Sequence, residues 1–223
     1  MEQTVSRPEI ILHPVQGAFL NSRALYKAFV AGISSGKSWI GSYDLIRRSL
    51  PGHLYMVLGP TYTLLKDSTF RSFLDVADNH MGLIDFNASV KESPPPSVKL
   101  PNGAEVLFRS GDEPDRLRGP NLAGVWMDEA SLMKEEVFKI AIGRLRQHGK
   151  QGWLSSTFTP KGKKHWTYKT FGMGGANTEI FWAKTLDNPF NPPEFEATVR
   201  SKYTSKEIAQ ELVRVRSDAD THH

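Results

Sequence analysis

At 223 residues the chain has room for one large domain, or a domain with a small appendage. Hydrophobic residues make up 39% and charged residues 23%, the balance of a globular protein with a real core, and no apolar run approaches the length that crosses a bilayer. There is no cysteine, which excludes disulfides and thiolate metal sites, and Met1–Pro8 lacks the apolar core of a signal peptide. A cytoplasmic protein with no membrane partner is expected. The net charge of +4 is unevenly spread: Arg144–Lys169 holds seven Lys or Arg and no Asp or Glu. Such a stretch can meet phosphates or serve as a solvated face.

Strand-like and helix-like segments alternate, which predicts an α/β fold with a largely parallel sheet flanked by helices. Leu25–Ala31 is an apolar strand, Gly32–Gly36 a small-residue loop, and Lys37–Arg48 a helix ended before Pro51-Gly52. Leu54–Leu58 is a second buried strand. Thr61–Asn79 has helical spacing, with Leu64, Leu65, Phe70, Phe73 and Leu74 on one side. Ser97–Leu100 and Ala104–Phe108 flank Pro101-Asn102-Gly103, a hairpin signal. Leu122–Met127 is a third strand, followed by a helix from Leu132 to Arg146. Trp153–Thr157 and Glu179–Thr185 complete the strands. Asp187–Pro193 is a linker. Short helices over Glu194–Lys202 and Lys206–Arg214 follow, with Thr204 and Glu207 placed as a capping box for the second. Residues 1–186 are thus expected to form the core and 187–220 a linker with a small helical subdomain. Thr221-His222-His223 reads as a tag remnant and is set aside as a metal site.

Ala31-Gly32-Ile33-Ser34-Ser35-Gly36-Lys37-Ser38 resembles the Walker A loop of P-loop NTPases, with Ala31 in place of the first glycine. A strand enters it and a helix leaves it, so the backbone of Gly32, Ser34, Ser35 and Gly36 can cradle an anion at a helix N-terminus. Lys37 is placed for the β- and γ-phosphates of ATP, and Ser38 for Mg²⁺. The other reading is a plain Gly/Ser turn. Leu122–Glu129 is apolar and ends in Asp-Glu, the Walker B form. Asp128 can hold the Mg²⁺, and Glu129 can polarise an attacking water. A strand end running into an acidic helix start is the plainer alternative. Trp153–Pro160 leaves its strand through hydroxyls, of which Thr157, with Ser156 next, could feel the γ-phosphate through Glu129 or a water. No arginine sits in the loop itself. That leaves Arg118, then Arg116, as an arginine finger for a neighbouring subunit's site, against the local reading of ion pairs with Asp112, Glu113 or Asp115.

These elements, in this order, resemble the N-terminal ATPase domain of phage terminase large subunits over roughly Leu12 to Phe190. The likeness rests on Gly32–Ser38, Arg118-Gly119 ahead of Val125–Ala130, Ser156–Gly162, and the Asp187-Asn188-Pro189 turn. It implies ATP hydrolysis driving double-stranded DNA into a procapsid, in a ring of five docked on a portal protein and served by a small terminase subunit, in the cytoplasm of an infected host cell. It implies a coupling role for Thr157. It also implies an adenine contact by Gln16, within His13–Leu20. Many members carry an arginine inside the Walker A loop, where Ile33 or Ser34 stands here, which raises the case for Arg118 in trans. The nuclease domain that normally follows is not expected in this chain, nor is DNA cleavage. The Arg144–Lys169 stretch, with Trp153, Trp166 and Tyr168, is a candidate DNA path whose affinity would fall with salt. Two alternatives stand beside this reading: a helicase-like nucleic-acid-remodelling ATPase, and a degenerate P-loop used for DNA binding or assembly without turnover.

Overall fold

The computed structural model describes residues 9–205 and residue 208. Helix α1 (Pro14–Asn21) precedes β1 (Tyr26–Val30), and α2 (Lys37–Arg48) joins β1 to β2 (Leu54–Gly59). Next comes one helical run built from α3 (Tyr62–Leu64), a π-helical turn Leu65–Phe70, α4 (Arg71–Asp75) and a second π turn Val76–His80. The short α5 (Phe86–Ser89) leads to β3 (Val90–Lys91), β4 (Ser97–Lys99) and β5 (Glu105–Ser110). Then follow β6 (Gly124–Asp128), α6 (Glu135–Arg144), β7 (Trp153–Phe158), β8 (Thr178–Trp182) and α7 (Phe195–Lys202).

The strands form one eight-stranded sheet in the order β3-β4-β5-β2-β6-β7-β1-β8. From β5 to β8 every neighbouring pair is parallel. The expected hairpin is present as β4–β5, antiparallel with Val98 opposite Val106. Its second strand also pairs with β2, so the hairpin extends the main sheet. This is the expected α/β P-loop architecture.

Side chains alternate across the sheet because the strand period is two. Val125 and Met127 of β6 join Met56 and Leu58 of β2 in a core under α6, while Trp126, Tyr55 and Val57 face the other way, toward α2 and α4. Both faces are therefore covered, as a parallel sheet requires. The Arg144–Lys169 stretch does not stay together. Arg144, Arg146 and Lys150 precede β7 and Lys161, Lys163 and Lys164 follow it, so six extended residues, about 20 Å, part the two groups. The single basic path expected from sequence is corrected to two patches at opposite ends of the strands.

Several boundaries differ from the sequence reading. The helix expected from Leu132 starts at Glu135, because Ala130–Leu132 is a separate 3-10 turn and Lys134 caps α6. Helix α1 has no counterpart in the sequence reading. It is closed by a capping box in which Gln16 N–H donates to His13 Nδ1 and His13 N–H donates to Gln16 Oε1. Of the second C-terminal helix and its capping pair, Lys206, Glu207 and Ala209–Arg214 lie outside the described residues. Among those residues, no helix is long and apolar enough to cross a membrane.

Candidate nucleotide site

Parallel pairing puts the C-terminal ends of β1, β7 and β6 side by side, with Phe29 and Asp128 both opposite Thr157. The loop after β1 turns at Ser34 (φ 51°) and Gly36 (φ 76°), both left-handed, and Gly36 caps α2. At Gly36 the backbone itself calls for glycine and a side chain also lies close: a Cβ there would lie 2.9 Å from Gln16 Nε2. Ala31 is not among the left-handed residues, and its N–H donates to the Phe158 carbonyl at the strand exit. An alanine in place of the usual first glycine therefore meets no left-handed backbone here.

Lys37 Nζ donates to the Gly32 carbonyl (2.7 Å) and stands 3.7 Å from Glu129 Oε1. Ser35 Oγ also donates to the Gly32 carbonyl (2.7 Å), drawing the loop into a ring. Asp128, 1% exposed, accepts three hydroxyls: Ser38 Oγ at 2.9 Å, Thr69 Oγ1 at 2.8 Å and Thr157 Oγ1 at 2.8 Å. Thr157 in turn accepts the Trp126 indole N–H at 2.8 Å. Glu129 follows in a left-handed conformation (φ 50°, ψ 44°), which turns the chain sharply off the strand. Its side chain borders a cleft of about 310 Å³ lined also by Ser34, Gly36, Lys37, Ser38 and Thr159. Beside this, a second cavity of about 330 Å³ is walled by Ile10, Ile11, Gln16, Trp39, His80 and Phe190. Trp39 stacks on Tyr43 there.

A lysine on the loop, a hydroxyl-bound aspartate, and a glutamate turned off the next strand thus meet around one cleft. The model of the phage terminase large subunit family matches residues 23–209. The chain belongs to that family. It is 31% identical over 153 residues to the PBSX phage terminase large subunit of Bacillus subtilis, a match covering 68% of this chain and 35% of that protein. The large terminase ATPase domain of Thermus phage P74-26 shares its fold with a TM-score of 0.68 and 25% identity, over 93% of this chain and 98% of that one. The large terminase of a thermophilic bacteriophage, in a complex with ADP, superposes with a TM-score of 0.76 at 17% identity, over 90% of this chain and 52% of that one. The chain spans about a third of the length of the curated relatives it matches.

In this terminase chain the structure gathers Lys37, Ser38, Asp128, Glu129 and Thr157 at one place, with Gly32, Ser34, Ser35 and Gly36 forming the loop around it. Thr157 bonds Asp128, where the sequence pointed to Glu129 or a water, because the two carboxylates leave β6 in different directions. Ser156 is fully buried, and among the described residues its hydroxyl has no hydrogen-bond partner. Gln16 is buried against Gly36. Arg118 lies elsewhere, exposed beside α6 and paired with Asp115 at 2.9 Å, while Arg116 pairs with Glu113.

Sequence reasoning missed four contributors. Thr69 comes from the π-helical turn. Trp126 looks like plain core. Thr185 Oγ1, at the end of the segment read as a strand, donates to the Ile33 carbonyl (2.8 Å), and Asn188 Nδ2, in the turn read as a linker, donates to the Ser34 carbonyl (2.6 Å), so both hold the loop. Only the family-like Asp187-Asn188-Pro189 turn hinted at this. Behind the loop, Lys27 of β1 and Asp44 of α2 form a fully buried pair at 2.7 Å. Burial pushes Lys27 down to about 8, against the pull of Asp44, and its ammonium also donates to the Phe19 carbonyl. Burial likewise lowers His13, with Asp187 opposing.

Proposed function

We propose that this chain hydrolyses ATP and that the hydrolysis drives double-stranded viral DNA into a procapsid. The observation that carries this is the meeting of Lys37, Ser38, Asp128 and Glu129 in one cleft, with Ser38 and Asp128 bonded across 90 residues of sequence. The likeness to the P74-26 ATPase domain supports it. The loop N–H groups and the start of α2 bind the phosphates, and Lys37 exchanges the Gly32 carbonyl for the β- and γ-oxygens. Ser38 and Asp128 offer a hydroxyl and a carboxylate, hard oxygen donors of the kind Mg²⁺ takes alongside phosphates and water. They would hold the ion, which when bound neutralises charge on the transferred phosphoryl group. Glu129, a third exposed, accepts the proton of the attacking water. Thr157 and Thr69 hold Asp128 in place. Gln16 and the cavity around Trp39 take the adenine.

Arg118 is assigned to a neighbouring subunit's site in a ring of five on a portal protein, with a small terminase subunit as a further partner. Its position on the flank beside α6, away from its own cleft, favours a role in trans. The decisive assay is steady-state phosphate release. Lys37→Ala and Glu129→Ala should each lower it by about 10²–10⁴-fold, and chelating divalent ions should abolish it. Turnover per chain should rise with concentration and fall in Arg118→Ala. Wild-type rates in Glu129→Ala would overturn the hydrolase reading.

A further inference from the structure

Residues 159–165 leave the end of β7 as a loop that is anchored at both ends to the Walker B segment. At its start, Thr157 Oγ1 donates to Asp128 Oδ1 (2.8 Å). At its end, Trp166 Nε1 donates to the Met133 carbonyl (2.8 Å), the residue closing the 3-10 turn that follows Glu129. Thr159 itself lines the phosphate cleft with Glu129. Between these anchors the chain turns at Gly162 (φ 92°) and presents Lys161, Lys163 and Lys164 as exposed side chains. From Trp153 to Thr178 the sequence contains no Asp or Glu. An exposed run of lysines fixed to both sides of a catalytic carboxylate pair suits a repeating anion that must be held differently as the nucleotide changes.

We propose that the Lys161–Lys164 loop grips the phosphodiester backbone of double-stranded DNA, and that the bond from Trp166 to Met133 ties its position to the turn after Glu129. This rests on the reading of the chain as an ATP-driven DNA motor. The rival basic patch is tied elsewhere. Arg146 is bonded to Asn121 and Arg144 to the Gly119 carbonyl, ahead of β6 and at the other end of the strands from Asp128.

Binding of a labelled DNA duplex to the 223-residue chain, followed across a salt series, tests the contact. In the triple variant Lys161→Ala/Lys163→Ala/Lys164→Ala the slope of log affinity against log salt should shrink by roughly one unit per lysine. ATP turnover without DNA should stay within about twofold of wild type, and its stimulation by DNA should vanish. Lys150→Ala should leave the slope unchanged. Trp166→Phe, which removes the indole donor but keeps the aromatic packing, should bind DNA normally yet lose most of the stimulation. Wild-type affinity and slope in the triple variant would overturn the proposal, as would a loss of slope in Lys150→Ala or full stimulation in Trp166→Phe. A wild-type chain that turned over ATP without binding DNA would also overturn it. A chain with no turnover but lysine-dependent DNA binding would instead sink the hydrolase reading and leave the contact standing.

Discussion

Thr157→Val isolates what holds the Asp128 carboxylate. Valine matches threonine in shape, so packing is conserved while one hydroxyl is lost. That hydroxyl takes the Trp126 indole N–H and donates to Asp128, each at 2.8 Å, and all three residues are 0–1% exposed. A buried indole N–H left without an acceptor costs about 1–3 kcal/mol, and a hydrogen bond to a charged group contributes about 1.5–3 kcal/mol. The substitution should therefore destabilise the fold by about 3–5 kcal/mol, a large part of a typical ~5–15 kcal/mol. At ~2–4 °C per kcal/mol for a chain of this size, the melting point should drop by roughly 6–20 °C. Urea melts of wild type, Thr157→Val, Trp126→Phe and the double variant close a cycle. The double should cost less than the sum of the singles by about 1–3 kcal/mol, since removing the indole donor also removes its unsatisfied state. Thr157→Ser should recover most of the stability and the ATP turnover. A Thr157→Val protein within about 0.5 kcal/mol of wild type, or an additive cycle, would refute the claim that this hydroxyl ties β6 to β7.

Gly41→Ala would put a Cβ 2.3 Å from the Trp126 indole, so α2 must shift. Overpacking of about 1–3 kcal/mol should exceed the ~1 kcal/mol gained in helix propensity, and a stabilised variant in urea would contradict this. Lys27→Met leaves Asp44 buried with its main partner gone and should cost about 3–5 kcal/mol, while Lys27→Met/Asp44→Leu should recover most of it, both read from urea midpoints. Because Lys27 sits at about 8 in the folded chain and 10.5 when unfolded, the unfolded state holds the extra proton between those values, and stability from this group should rise with pH across that window. The double variant should lack that rise, and an identical pH profile would exclude Lys27 as its source. Asn188→Ala frees the Ser34 carbonyl and should weaken ATP binding about five- to tenfold by calorimetry, with little change in stability.

How much of this was legible depended on whether a feature was local. The phosphate loop, the Asp128-Glu129 pair and the Asn102-Gly103 hairpin were readable because each is encoded within a few neighbouring residues. The Lys27–Asp44 pair was hidden, since a lysine inside an apolar strand and an aspartate inside a helix become partners only after α2 is laid on β1. Thr69 and Asn188 were hidden for the same reason: each reaches the site from an element whose own spacing says nothing about it. The basic stretch misled because closeness in sequence was taken for closeness in space, and a strand runs through its middle. Strand β3, two residues long and, among the described residues, paired only to β4, carries too little pattern to be seen.

The site itself depends on register more than on any one motif. Asp128 and Thr157 meet because β6 and β7 pair in parallel with those two residues opposite each other, and β1 on the far side of β7 sets Phe29 against the same threonine. Shifting β7 by one residue would turn Thr157 to the α6 face and bring Ser156 or Phe158 under α2. Asp128 would then lose a hydroxyl, and Trp126 its acceptor. The apolar alternation that fills the two cores therefore also fixes which hydroxyl reaches the carboxylate. The loop that follows inherits that placement: Thr159 falls in the cleft beside Lys37 and Glu129, and the lysines fall beyond it, because Thr157 is pinned two residues earlier.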